Sequence, residues 1–342
     1  EIFAGQLIKI GEKIKNSGMR VSMHPGQYTV LNSPDPQVVE RAINDLEYHA
    51  QVLDSLELNP QHKIILHIGG IYNDKNQAQK RFISNYHHLP DTVKRRLILE
   101  NDDRLYHIGD VLDIATHINL PAVYDNLHNQ INPCDSKIND YEWINRCQNT
   151  WGEKDGPQKI HYSQQDPQKK PGSHSGTIRI KEFMEFHENL GRTDLDIMLE
   201  VKDKNLSAVK CNNCISEAKT IRTLETEWSR YKYKVLENSP SDYTEVRKLL
   251  KGKNQYPAVA FYNIIEQALQ KEIQTGQAIN AAQHIWGYFK NTSSEKEKSS
   301  FNKLLTEYNQ GQASLKTVKS FLWKMILKYD QPYLRDSYYF VL

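Results

Sequence analysis

A chain of 342 residues, 38% of them hydrophobic, is long enough for one large α/β domain and an extension. It contains no run of eighteen apolar residues and no signal-peptide pattern. That argues against a membrane partner or a secretory route and reads as a soluble, cytoplasmic protein. The net charge of +2 hides a division: residues 221–342 carry 18 Lys+Arg against 12 Asp+Glu, whereas residues 1–220 carry 26 against 30.

In chain order, residues 1–16 read as a helix that Gly18 stops. Strand 19–24 follows, then a loop through Pro25-Gly26-Gln27-Tyr28 to Pro36 and a strong helix over 37–58. Strand 63–68 leads into Gly69–Asp74 and a helix near 76–88; strand 96–100 precedes a helix near 107–117. Strand 121–125 gives way to a loop and a helix near 139–148, and strand 158–162 to a polar loop over 164–175 and a helix near 179–190. Strand 195–201 and one long helix over about 206–235 close the series. Strand–helix alternation at intervals of 25 to 43 residues predicts a TIM (β/α)8 barrel. Only six strands are legible, and the chain opens without methionine inside a helical pattern, so the first two strands are expected to be absent from this chain. The expected domains are an N-terminally incomplete barrel over 1–236 and a helical C-terminal extension over 237–342. The extension's helical patterns fall near 243–251, 258–273, 277–290, 298–309 and 314–328. Eleven of the 19 tyrosines lie from residue 221 onward, and they read as its core rather than as a nucleic-acid groove.

Each short apolar run ends in a residue of the metal-ligand type: His24, His67, Glu100, Asp125, His161 and Glu200. At the C-terminal ends of barrel strands such side chains converge on one mouth. His128 and His174 lie just after two of the strands. For any single histidine a hydrogen-bonded core residue is the better reading, but the set of eight points to two or three divalent ions. Nitrogen and carboxylate ligands without thiolate suit manganese, zinc or iron rather than a sulfur site, and multi-metal sites suit phosphate-ester chemistry. Lys159 lies two residues before His161 and faces the same side. It reads equally as a neutral amine forced by cations or as a salt bridge to one of the carboxylates. Gln27 and Tyr28 read as a pair that wedges into or stacks on a base, against a structural loop role. Four cysteines fit a reduced compartment, and Cys211-Asn-Asn-Cys214 without a second pair is a weak zinc motif. No phosphate-binding glycine loop and no nucleophile elbow occur.

The chain resembles the UV damage endonuclease family. The resemblance runs through Ser22-Met-His24-Pro-Gly-Gln-Tyr28, Leu66-His67-Ile-Gly-Gly70, Leu99-Glu100-Asn-Asp102, Tyr124-Asp125-Asn-Leu-His128, Lys159-Ile-His161-Tyr-Ser163, Gly172-Ser-His174 and Leu199-Glu200-Val-Lys-Asp203. It implies a TIM barrel related to endonuclease IV with a manganese-preferring three-metal cluster, acting as a monomer on UV-damaged double-stranded DNA. It implies incision immediately 5′ to cyclobutane pyrimidine dimers and 6-4 photoproducts, leaving a 3′-hydroxyl and a 5′-phosphate. It assigns metal ligation to His24, His67, Glu100, Asp125, His128, His161, His174 and Glu200, and matches Gln27 and Tyr28 to a pair that probes the damaged duplex. Lys159 matches a lysine that can be carboxylated, and with Glu100, Asp125 and Glu200 is expected to be catalytic. Two rival readings are a sugar isomerase or epimerase on the same barrel and a non-catalytic damage-binding module.

Overall fold

The apolar runs assemble into one parallel sheet, in a computed structural model that describes residues 2–342. Helix α1 (Ala4–Ser17) ends, as its sequence predicts, on Gly18 at φ 68°. The sheet is built from β1 (Ser22–Met23), α2 (Pro36–Ser55), β2 (Lys63–His67), α3 (Lys75–His87), α4 (Asp91–Lys94), β3 (Leu97–Glu100), α5 (Ile108–Ile118), β4 (Ala122–Asp125), α6 (Asn126–Ile131), α7 (Asp140–Gln148), β5 (Lys159–Tyr162), α8 (Ile180–Leu190) and β6 (Asp196–Leu199). Strand order is β1-β2-β3-β4-β5-β6, every pair parallel. Each strand is followed by helix, so the sheet is a six-stranded half-barrel of the TIM type. No helix among the described residues is long and apolar enough to cross a membrane.

The register sets the site. His67 pairs with Glu100, and Asp125 pairs with His161, so ligand-type residues of neighbouring strands stand side by side. Side chains two residues apart share a face. Beneath those ligands, Ile65, Ile98 and Val123 accordingly form a small apolar cluster against Trp151.

The N-terminal ends of the strands are sealed by buried ion pairs and side-chain bonds to carbonyls. Arg20 binds Asp196 through Nε at 2.8 Å and donates to the carbonyls of Asp155 and Pro157. Lys63, fully buried, pairs with Asp155 at 2.6 Å. Arg96 reaches Asp54 and donates to the carbonyls of Leu58, Asn59 and His62 at 2.6, 2.8 and 3.0 Å.

The chain divides into two compact units: residues 1–178 with 186–207, and residues 179–185 with 208–342. The single helix expected over 206–235 is two helices, α9 (Asn205–Ile215) and α10 (Ile221–Asn238), because Thr220 adopts extended backbone as the N-cap of α10. The later helices are α11 (Pro240–Leu249), α12 (Ala258–Gln270), α13 (Thr275–Trp286), α14 (Glu295–Asn309), α15 (Leu315–Lys328) and α16 (Pro332–Arg335). Their core is aromatic, as the sequence predicts. Phe289 and Phe301 are buried, and Trp286 stacks on Phe301 with centroids 4.4 Å apart. Within it the buried Glu237 carboxylate accepts from Lys234 at 2.8 Å and Lys319 at 2.9 Å.

Arg96→Met nearly keeps the volume but leaves the carbonyls of Leu58, Asn59 and His62 without this donor and Asp54 with Arg95 alone. Such a loss is expected to cost about 3 kcal/mol. Urea unfolding of the metal-free protein should show a lower midpoint at unchanged slope, and an unshifted midpoint would show the seal to be dispensable.

Candidate metal centre

Glu100 is the hub. Its carboxylate is 0% exposed at the end of β3. His161 Nδ1 lies 2.8 Å from its Oε1, and His24 Nε2 and His67 Nε2 lie 3.0 and 3.7 Å from its Oε2. His161 Nδ1 also meets Glu200 Oε1 at 2.8 Å. Two groups of potential ligand atoms result, each within 4.8 Å: His24, His67 and Glu100; and Glu100, Asp125, His161 and Glu200. Glu100 belongs to both.

His128 and His174 stand on the flank and join neither group. His128 Nδ1 is 3.8 Å from both Glu100 Oε1 and Asp125 Oδ1, and His174 Nδ1 is 3.6 Å from Glu200 Oε2; the two rings lie 6.5 Å apart. His174 is carried by a bridged loop, Gln165 pairing antiparallel with His174, where the sequence suggested only a polar connection.

The imidazoles are aimed by the backbone. Nδ1 of His24, His67 and His128 faces the carbonyl of Pro25, Glu100 and Asn101 at 3.1, 3.4 and 2.9 Å. A carbonyl only accepts, so Nδ1 carries the hydrogen and Nε2 offers the lone pair. Asp125 caps α6, with Oδ1 accepting from the His128 backbone N–H at 2.7 Å; this short cap places His128 at the mouth. Asn101, which sequence reasoning quotes within a motif but gives no role, clamps the main chain of Asp125 in both directions, at 2.9 and 3.1 Å. Its signal is its place next to Glu100, where its fully buried amide demands partners.

The charges are those of a site made for cations. Burial raises the Glu100 carboxyl, but His161, His67 and His24 outweigh it and hold the group well below its ordinary range. Burial likewise raises Glu200, and His161 outweighs it. Asp125 is pushed up to about 7, by burial first and then by the negative charges of Glu100 and Glu200. His161 rises to about 10 because those same two carboxylates overcome its burial. Asp125 Oδ2 and His161 Nε2 are buried without any hydrogen-bond partner. Two orphaned polar atoms among three converging carboxylates, the imidazole nitrogen becoming a ligand once its proton is displaced, fit a divalent cation, and the chain's buried His/Glu/Asp cluster is able to hold metal.

A model of the UV-endonuclease UvdE family matches residues 1–232. The chain belongs to this family. A second model, a protein family of unknown function (DUF1722), matches residues 232–342. The UV DNA damage endonuclease of Clostridium perfringens is 38% identical over 98% of this chain and 80% of its own length. That of Bacillus pumilus is 33% identical over 61% of this chain and 65% of its own. The crystal structure of SacUVDE, 38% identical, superposes with a TM-score of 0.59 over 63% of this chain and 71% of that one. The UvdE-family match covers β1 to β6 and all eight candidate ligands, and ends within α10.

Three other sequence-selected positions lie apart from the ligand groups. Gln27 and Tyr28 are exposed on the loop beyond His24, Tyr28 by 83%. Lys159 is buried, its Nζ donating to Ser22 Oγ at 3.0 Å, and burial with the nearby Arg20 lowers it to about 8. No carboxylate among the described residues lies within ion-pairing distance of it, so the salt-bridge reading of Lys159 is not realised.

Glu100→Gln preserves shape while removing the charge common to both ligand groups. The variant, loaded with manganese and desalted, should retain at least one ion fewer per chain than the unmodified protein. Equal metal content would remove Glu100 from its central place.

Proposed function

We propose that this chain is a metal-dependent endonuclease that hydrolyses the phosphodiester immediately 5′ to UV photoproducts in double-stranded DNA. The observation that carries the reading is the buried Glu100 carboxylate, shared by histidines of three strands at the mouth of the half-barrel. Membership of the UvdE family supports it.

Manganese is the proposed ion, in a cluster of two or three, with zinc or magnesium as substitutes. Glu100 and Asp125 would bridge ions. His24 and His67 would share one with Glu100, His161 and Glu200 would hold a second, and His128 with His174 a third. When bound, such ions neutralise phosphate charge and activate water for attack at phosphorus. The chain's own residues hold the ligands in place through the carbonyls behind His24, His67 and His128. The apolar floor of Ile65, Ile98 and Val123 adds a low-dielectric base under them. Gln27 and Tyr28 would probe the damaged base pair. The second unit contributes none of the eight proposed ligands, and the chemistry is assigned to residues 1–236, with 237–342 as a helical extension. The protein is proposed to act as a monomer on DNA in the cytoplasm.

Incubation with UV-irradiated supercoiled plasmid and manganese should give nicked circles, abolished by chelator and absent with unirradiated plasmid. Binding of irradiated duplex without nicking would instead make the chain a damage-binding module, and aldose turnover without nicking would make it an isomerase. Gln27→Ala with Tyr28→Ala should keep its metals and lose affinity for dimer-containing duplex by about 1–3 kcal/mol per lost base contact. Incision of dimers by the double variant at the unmodified rate would reduce the loop to scaffolding.

Lys159 stands one pleat below His161, and its proposed role is as a carbamate formed when the neutral amine adds carbon dioxide and releases a proton. Labelled bicarbonate should then give a carbamate carbon resonance that Lys159→Met lacks, and the variant should cut more slowly. A spectrum without that resonance, together with incision indifferent to bicarbonate, would leave Lys159 a hydrogen-bonded core lysine.

A further inference from the structure

The helical unit buries most of its aromatic rings, but not all. Tyr288 and Tyr333 are 38% and 40% exposed, although their chain neighbours Phe289 and Leu334 are fully buried. The neighbours do the packing, so the two tyrosines are held at the surface without being needed in the core. They are stacked on one another, centroids 5.9 Å apart at 18°. The hydroxyls of Tyr233 and Tyr288 hydrogen-bond at 2.9 Å.

A cation completes the group. Lys232 Nζ lies 4.6 Å from the Tyr233 ring and 4.7 Å from the Tyr333 ring. On the same helix Arg230 is paired with Glu227 and Lys234 with Glu237, whereas Lys232 has no carboxylate partner among the described residues. An ammonium fixed by two aromatic faces and left unneutralised is a ready counter-charge for an anion. It sits in a region with 18 basic against 12 acidic side chains.

We propose that Lys232, Tyr288 and Tyr333 form a binding site for single-stranded DNA, with an unpaired base stacking on the tyrosine pair and the adjacent phosphate meeting the lysine. Two part-exposed rings beside a cation without a carboxylate partner match the two features a nucleotide always offers, a π surface and a phosphate. Intact duplex hides its base faces, so the site selects unpaired nucleotides. An acidic peptide would satisfy Lys232 and leave the rings unused. The site is distinct from the proposed metal ligands and does not depend on incision.

The test uses the full chain in chelator and a labelled oligothymidylate, with intact duplex of equal length as comparison. The unmodified protein should bind the oligonucleotide. Tyr288→Ala with Tyr333→Ala should weaken that binding by about tenfold or more, the scale of one lost base stack. Lys232→Gln should lower the salt dependence by about one phosphate contact. Tyr288→Phe, which keeps the ring, should bind nearly as well as the unmodified protein. These platform variants should still nick irradiated plasmid, so failure here is separable from failure of the nuclease reading. The proposal is overturned if the unmodified protein does not bind the oligonucleotide. It is equally overturned if polyglutamate competes as well as oligothymidylate, or if Lys232→Gln and the double alanine variant bind with unmodified affinity and salt dependence. If the double variant does not fold, Lys232→Gln, at a partly exposed position, still decides.

Discussion

A carboxylate taken wholly out of water costs several kcal/mol to keep ionised unless its surroundings answer the charge, and Glu100 is such a carboxylate. The answer comes from His24 on the loop leaving β1, His67 on β2 and His161 on β5. None of the three is near Glu100 in sequence. They meet it only if the strands run parallel and end at one level, which the registers His67 with Glu100 and Asp125 with His161 bring about. Fold and site therefore rest on the same constraint.

The two ends of the sheet answer buried charge with different chemistry. At the N-terminal end the partners are the permanently charged Arg20 and Arg96, with the Lys63 amine held by Asp155. That end is sealed, and nothing can displace a guanidinium that also holds three carbonyls. At the C-terminal end the partners are imidazoles, which, unlike a guanidinium, can yield a proton to an incoming cation and then offer a lone pair. An arginine in place of His161 would satisfy Glu100 and exclude a cation.

Much of this was legible because strands impose a period of two and the chemistry sits at their C-terminal ends. His24, His67, Glu100, Asp125, His161 and Glu200 could be picked out as the last letters of apolar runs, and the structure brings them together. What was not legible depended on relations between distant residues. The main-chain clamp of Asn101 on Asp125 has no local pattern, and Lys159 meets Ser22 from the far side of the sheet. The break between α9 and α10 carries no proline or glycine; it depends on the backbone of Thr220. Tyr288 and Tyr333 share composition with the buried aromatics around them, and only packing separates surface from core.

Beneath the ligands, the side chains one pleat down are Ser22, Ile65, Ile98, Val123 and Lys159. Three are aliphatic and cluster with Trp151, so water has little to solvate from below and charges above interact in a poorly screening medium. Without cations, three carboxylates can share that space only by taking up protons, which is why Asp125 and His161 are both pushed toward their protonated forms. Protons and cations then compete for the same lone pairs. An exposed set of identical ligands would pay no such penalty when empty and would hold its ions more weakly. The affinity of such a cluster for a metal ion would thus be set by the dry floor and the aiming carbonyls as well as by the candidate ligands themselves.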